Sequence, residues 1–187
     1  KTFFEIIIAP SFDSGALKIF SKKKNLRVLC LKKYVSPDFS IKTIAGGSLG
    51  QGSDSSKLNK KDLVVPTKKK LTPNQLSTLL FAWKVVKHTK SNAIVVAKNN
   101  KIISISGGQT SRVDATKIAF EKTKIPKGCV VASDAFFPFK DSIETMAKYK
   151  ITAVVQPGGS VRDEEVIESC NNNKIAMAFT GFRVFKH

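Results

Sequence analysis

The stretch that most limits what this chain can become starts at Thr72, where a helix start is nearly spelled out. Thr72 suits the N-cap, Pro73 the first helical position, and Gln75 lies three residues past the cap, the spacing of a capping box. Leu76, Leu79, Leu80, Trp83 and Val86 then recur at helical spacing, which predicts an amphipathic helix. Beyond it the pattern alternates. Residues 94–98 and 101–106 read as strands around Asn99-Asn100, a two-residue hairpin signal. "GGQTSRVDATKIAFEK" reads as a loop feeding a helix, 129–133 as a strand, 142–149 as a helix, 151–156 as a strand, 162–170 as a helix and 175–180 as a last strand. Short apolar strands interleaved with helices specify an α/β sheet covered by helices.

The order from Thr72 onward is helix, strand, strand, helix, strand, helix, strand, helix, strand. It is that of a cytidine-deaminase-like three-layer α/β/α sandwich. Residues 3–31 give a second piece of α/β layer: a strand at 3–9, a helix at about 14–23 with Ala16, Leu17, Ile19 and Phe20 on its apolar side, and a strand at 26–31. The opening run reads as buried on both faces, which requires neighbours the segment cannot supply. The chain is therefore expected to be part of a longer protein. Residues 41–54 are glycine-rich and mostly polar, which suits turns or a close approach of the backbone to another group. Residues 55–71, with lysines, serines and Pro66, resemble a connector. The expected division is 1–54, a connector at 55–71, and a second lobe at 72–187.

Composition narrows the function. With 187 residues, 42% of them hydrophobic, the chain can close a real core. No stretch approaches the roughly 18 apolar residues of a membrane span, and the start is too short and too acidic for a signal peptide. Cys30, Cys129 and Cys170 lie far apart, each in an apolar pattern, and read as buried reduced thiols, which points to the cytoplasm. The net charge of +18 invites a nucleic-acid reading. However, the lysines are scattered, arginines are few, and there is no zinc finger, RNP signature or basic helix, so a nucleic-acid partner is not favoured. A field this positive would still attract phosphates and carboxylates.

Zinc is not expected either. Zinc deaminases of this layout place His-x-Glu or Cys-x-Glu at the helix after the hairpin and Pro-Cys-x-x-Cys at the next one. Here those places hold Gln109-Thr110-Ser111-Arg112 and Pro138-Phe139-Lys140-Asp141, and the histidines are His88 and His187. Three loops after predicted strands nevertheless carry glycines or polar groups at helix starts: "SGGQTSR", "SDAFFPFKD" and "QPGGSVRDEE". Open α/β sheets bind ligands beyond the carboxyl ends of their strands, so these loops are expected to share one cleft.

"KHTKSNAIVVAK", "GGQTSR", "SDAFFPFKDSIE", "QPGGSVRDEEVIE" and "AMAFTGFRVFKH", with "EIIIAPSF", "KKNLRVL" and "GGSLGQGSD" upstream, closely resemble the C-terminal part of the family that joins phosphoribosylaminoimidazolecarboxamide formyltransferase to IMP cyclohydrolase. The resemblance covers essentially the whole chain. It implies an enzyme of purine (IMP) biosynthesis whose transferase consists of two deaminase-like lobes, with residues 1–54 ending the first and 72–187 forming the second. That transferase moves a formyl group from 10-formyltetrahydrofolate to the 5-amino group of aminoimidazole carboxamide ribonucleotide (AICAR). The family's Lys-His-x-x-Pro-type segment does not occur here, since Lys87-His88 continues Thr-Lys-Ser-Asn, so the chain is expected to be inactive by itself.

By the same resemblance, Asn92 stands beside the formyl group as the catalytic side chain, and Phe136 and Arg183 hold the nucleotide. Ser111, Arg112, Val113, Pro138, Phe139, Asp141 and Ser160 serve the folate, with the aromatic run as a wall for the pterin and Asp141 as acceptor for its N–H groups. A potassium site is implied at Val86, Thr89, Ser91, Asp134 and Val184, mostly through backbone oxygens. In this chain Ala93 replaces a hydroxyl found in some relatives, and Lys186 lies where others have histidine. The family also implies a homodimer with shared clefts. The alternative is a basic nucleic-acid-binding α/β module. Each loop also has a plainer role open to it: tight turns for the glycine pairs, core filling for Phe136 and Phe137, a helix cap for Asp141, and backbone satisfaction for Asn92.

Overall fold

The computed structural model describes residues 3–33 and 39–186. Chain contacts divide it into two compact units, residues 1–55 and 56–187; His187 lies outside the described residues.

In the first unit, β1 (Ile6–Ala9) and β2 (Arg27–Cys30) pair in parallel, Ile6 opposite Arg27 and Ala9 opposite Cys30. Between them runs α1 (Ser14–Phe20), capped by Asp13, whose carboxylate accepts the Ala16 N–H at 2.6 Å. The glycine-rich stretch is a hairpin: β3 (Phe39–Ile44) pairs antiparallel with β4 (Gly47–Gly52), and the turn uses Gly46 at φ +80°. Gly50 has its own reason to lack a side chain, because a Cβ there would lie 2.3 Å from the Phe39 ring. One sequence expectation fails in this unit: Cys30 is exposed rather than buried. The opening strand is left uncovered, with Ile8 58% exposed, as expected of a strand whose covering neighbours the segment does not supply. Among the described residues of this unit, β1 and β2 form a two-stranded sheet with one seven-residue helix that buries none of its residues.

The second unit begins with a 3₁₀ turn (Lys60–Asp62) and continues with α2 (Pro73–Lys87), β5 (Ile94–Lys98), β6 (Lys101–Ser106), α3 (Arg112–Glu121), β7 (Val130–Ser133), α4 (Asp141–Lys148), β8 (Ala153–Gln156), α5 (Asp163–Asn172) and β9 (Ala176–Phe179). The capping box at α2 forms as expected: the Gln75 N–H donates to Thr72 Oγ1 at 3.2 Å, and the Thr72 N–H donates to Gln75 Oε1 at 2.9 Å. Asn99 and Asn100 both adopt positive φ, 49° and 56°, as a tight hairpin turn requires. The strands form one sheet in the order β6-β5-β7-β8-β9, with β5 antiparallel to both neighbours and β7, β8 and β9 parallel.

Side-chain alternation along these strands divides the core in two. Ile94, Val96, Val131, Val154 and Met177 face one cluster with residues of α3, α4 and α5. Val95, Ala97, Ala132, Val155 and Ala178 face the other with Leu79, Ala82, Trp83 and Val86 of α2. A sheet covered on both faces explains why β7 and β8 are fully buried and read as apolar runs up to their last residues, Ser133 and Gln156. Within 55–71, expected as a connector, Val64 and Thr67 reach the β9 edge. Val64 exchanges backbone hydrogen bonds with Phe179 at 3.1 and 2.7 Å, and Thr67 Oγ1 accepts the Met177 N–H at 3.0 Å.

Helices α4 and α5 end in the same way. Lys150 and Lys174 adopt left-handed φ, and the paired bonds Lys150 N to Ala147 O with Ile151 N to Met146 O recur as Lys174 N to Asn171 O with Ile175 N to Cys170 O. This Schellman closure turns the chain directly into β8 and β9, with Ile151 and Ile175 buried just past each turn.

Candidate functional site

Strand register decides which loops can meet. Ile94 opens β5 opposite Ser106, which ends β6, and opposite Ser133, which ends β7; Gln156 and Phe179, ending β8 and β9, pair with each other. The segments 91–93, 107–112, 134–141, 157–162 and 180–186 therefore all leave the sheet at one end. Every residue expected at the folate, nucleotide or formyl position comes from these segments or from the helix turn that follows.

The loop after β7 is pinned from beneath. Gln156 is fully buried; its Oε1 accepts the Phe137 N–H at 2.6 Å and its Nε2 donates to Met177 Sδ at 3.3 Å. Phe137 drops into the core, which leaves Phe136 and Phe139 to the surface side. The loop after β8 turns at Gly158 and Gly159, φ +74° and +87°. At Gly158 a Cβ would also lie 2.9 Å from the Phe179 ring, so both backbone angle and space call for glycine. Gly159 N–H donates to Asp163 Oδ2 at 2.6 Å, which ties this loop to the start of α5.

Between these loops is a cleft of about 340 Å³ lined by Phe136, Pro138, Phe139, Gly159, Ser160, Val161, Arg162 and Arg183. Two guanidinium groups lie over rings here: Arg183 over Phe136 at 4.7 Å and Arg162 over Phe139 at 4.8 Å from the centroids. The wall thus combines aromatic rings, each with a guanidinium over one face, and so sets positive charge against apolar surface, which suits anionic ligands with an apolar part. The structure brings together Phe136, Arg183, Pro138, Phe139 and Ser160 of the expected residues.

A second group lies at the same sheet end. Asp134, wholly buried, accepts from Arg112 Nη1, from the Ala93 N–H at 3.0 Å and from Ser91 Oγ. Arg112 is 6% exposed; its Nη1 also reaches the Ala93 carbonyl at 3.0 Å and its Nη2 reaches Asn92 Oδ1 at 2.8 Å. Asn92 Nδ2 donates to the Gln109 carbonyl at 2.9 Å. Val184 N–H donates to the Asp134 carbonyl at 3.1 Å, joining this group to the residue after Arg183.

The remaining expected residues stand outside the cleft lining. Ser111 caps α3, its Oγ accepting the Asp114 N–H at 3.0 Å, and Val113 lies on that first turn. Asp141 is the first residue of α4 and accepts the Ser142 N–H at 2.6 Å, but it does not cap the helix, since the cap position is held by Lys140 and no side chain bonds there. Of the residues matched to potassium, Ser91, Asp134 and Val184 meet in the buried group, while Thr89 donates its N–H to the Val86 carbonyl at 3.0 Å. Among the described residues no group of three or more His, Cys, Asp or Glu could hold a metal. Burial pushes the Cys170 thiol up to about 12 and raises that of Cys129, so neither is a ready nucleophile.

Sequence reading missed Arg162 and Gln156. Gln156 had a signal, a lone amide ending an otherwise apolar strand; Arg162 had none, since its place over Phe139 depends on two loops meeting.

A family model described as AICARFT/IMPCHase bienzyme matches residues 1–122. The bifunctional purine biosynthesis protein PurH of Aquifex aeolicus is 53% identical over 189 residues, covering 99% of this chain and 37% of the relative. The PurH of Acetivibrio thermocellus is 53% identical over 192 residues, and that of Bacillus cytotoxicus 47% over 190, each covering 100% of this chain and 37% of the relative. The chain thus spans a little over a third of the length of these curated relatives, and it belongs to the AICARFT/IMPCHase bienzyme family.

Proposed function

We propose that this chain supplies the distal half of a folate-dependent formyltransferase in purine biosynthesis, within a bifunctional enzyme that also carries IMP cyclohydrolase activity. The donor is 10-formyltetrahydrofolate and the acceptor is the 5-amino group of AICAR. The observation that carries the reading is the cleft at the sheet end, whose lining brings Phe136, Arg183, Phe139 and Ser160 together.

Arg183 pairs with the ribotide phosphate or carboxamide side while Phe136 stacks on its ring. Pro138, Phe139 and Ser160 form the folate side, with Ser111, Arg112, Val113 and Asp141 at the flanking helix starts. Asn92 supports the tetrahedral intermediate through its amide donor, and positioning supplies much of the rest of the rate. The base that takes the proton from the amine is not among these residues, so the chain alone binds ligand without turning it over. The order β6-β5-β7-β8-β9, with α2 on one face and three helices on the other, fits a deaminase-like sandwich in which the zinc motif is replaced. Residues 1–54 would end a first lobe of the same kind.

We keep the potassium ion as a cation held by main-chain carbonyls and route no chemistry through it. The Asp134 carboxylate is already engaged by Arg112, Ala93 and Ser91, so its side chain fits an added cation poorly. The active form is a cytoplasmic homodimer.

The test is a chimera in which this chain replaces the matching segment of the Aquifex aeolicus relative. Asn92→Ala is expected to lower kcat for formyl transfer by about 10²-fold, the usual loss of one transition-state donor. Arg183→Ala is expected to raise the KM for AICAR by about tenfold or more. Unchanged parameters in both variants would remove the site. Binding of random oligonucleotides that weakens steeply with salt, and does so equally in the Phe139→Ala variant, would favour the nucleic-acid alternative instead.

A further inference from the structure

We infer that Asp134 is a positioning residue that, through Arg112, fixes which way the Asn92 amide faces. The inference rests on the reading that Asn92 serves formyl transfer, but the geometric part stands on the bonds alone. A guanidinium only donates and a main-chain carbonyl only accepts. With Arg112 Nη2 at 2.8 Å from Asn92 Oδ1 and the Gln109 carbonyl at 2.9 Å from Nδ2, only one orientation of the amide satisfies both neighbours. Turning it over would set N–H against N–H on one side and oxygen against oxygen on the other. One Nδ2 hydrogen goes to Gln109, and the second is the donor available to a reacting oxygen.

Arg112 can hold that orientation only if it is itself held. Its guanidinium is almost completely buried, where a charge without a partner is costly enough to draw in water or to swing the side chain outward. Asp134 prevents this by pairing with Nη1, while the Ala93 carbonyl takes the same nitrogen at 3.0 Å. Asp134 is in turn fixed from two sides, by the Ala93 N–H at 3.0 Å and by Ser91 Oγ, and Ser91 Oγ accepts the Lys186 N–H at 3.0 Å. The chain of contacts thus runs from the C-terminal segment to Ser91, Asp134, Arg112 and finally Asn92. It joins the end of β7, the first turn of α3 and the entry to β5, none of which could orient the amide alone. Lysine cannot replace the arginine, because a single ammonium cannot meet Asp134 and Asn92 with two separate nitrogens held in one plane.

The test uses nitrogen-15 spectra of the chain of residues 1–187, with the Asn92 side-chain NH₂ pair assigned by its loss in Asn92→Ala. In the unaltered chain this pair is expected to be well dispersed and slow to exchange. Asp134→Asn and Arg112→Lys should move it to the free-amide region and speed its exchange by about tenfold or more. Ser91→Ala, which removes only one support of Asp134, should shift it less and in the same direction, and it serves if Asp134→Asn does not fold. An unmoved Asn92 signal in the folded variants overturns the inference, whatever their loss of stability.

Activity in the chimera separates the two ideas. Asp134→Asn should lower kcat with the KM for AICAR within about twofold, and added to Asn92→Ala it should cause no further loss. A multiplicative loss in the double variant overturns action through Asn92. A shifted signal with unchanged activity leaves the positioning intact and defeats the formyl-transfer role of Asn92.

Discussion

The two units of this chain are built from similar pieces, short apolar strands and helices with one apolar side, yet they bury those pieces very differently. In the second unit a five-stranded sheet has helices on both faces, and Phe137, Ile143, Val154 and Met177 are fully enclosed. In the first, a two-stranded parallel sheet and a separate two-stranded hairpin leave Ile6, Ile8, Leu29, Phe39 and Ile41 largely exposed. The contrast shows that apolar pattern specifies which face of an element wants cover, whereas the number of layers decides whether it gets any. A two-stranded sheet has too little surface to enclose its own side chains.

The largest effect that would sharpen this contrast is on core truncation. Phe137→Ala should destabilise the second unit by about 3–5 kcal/mol, since it removes a fully enclosed ring from a packed site. Leu29→Ala in the first unit, where the side chain is 49% exposed, should cost less than about 1 kcal/mol. The single tryptophan, Trp83, lies in the second unit, so urea unfolding followed by its fluorescence reads Phe137→Ala directly. Amide exchange of Val28 and Cys30, the neighbours of Leu29 in β2, reads Leu29→Ala. Equal costs at the two positions would break the comparison.

Thiol chemistry gives the next contrast. Cys30 is exposed, while Cys129 and Cys170 are buried with raised thiol pKa. A group whose folded pKa is raised stays protonated, and so unreactive, until pH climbs through the folded value; for Cys170 that is about 12. At pH 8 a disulfide reagent should therefore label one thiol at least about tenfold faster than the other two, a difference of about 1.4 kcal/mol in barrier. Cys30→Ser should abolish the fast phase. Three equal rates would mean that the second unit does not exclude solvent as described.

The smallest effect concerns the two matched helix ends. Lys150 and Lys174 hold left-handed backbone at a place where glycine is usual. That conformation costs an L-residue about 1–2 kcal/mol, and glycine gives back roughly 0.5–1 through unfolded-state entropy. Lys174→Gly should thus stabilise the second unit by about 0.5 kcal/mol, measured by the same fluorescence transition. A clear loss of stability would show that the lysine side chain contributes something the turn geometry does not reveal.

Several features were legible in the residues because their causes are local. The capping box at Thr72 and Gln75, the Asn99-Asn100 turn and the alternating strands all follow from interactions within a few positions, and each forms where the sequence predicts it. The hairpin at 39–52 was less legible, since its glycines obscure the period-2 pattern that marks a strand. The cleft was partly legible: the loops that carry Phe136, Phe139 and Ser160 announce themselves by glycine, proline and aromatic content, and the sheet then places them together.

By itself, the sequence determined where helices and strands begin, which faces are apolar, and that three polar loops follow buried strands; backbone propensity and side-chain periodicity need no distant partner. Only the tertiary structure decided that Arg112 is enclosed with Asp134, that Gln156 supports Phe137, and that Arg162 stands over Phe139. The partners of these side chains lie 22, 19 and 23 positions away. Whether a buried charge or amide is tolerated depends on the group that strand adjacency brings to meet it.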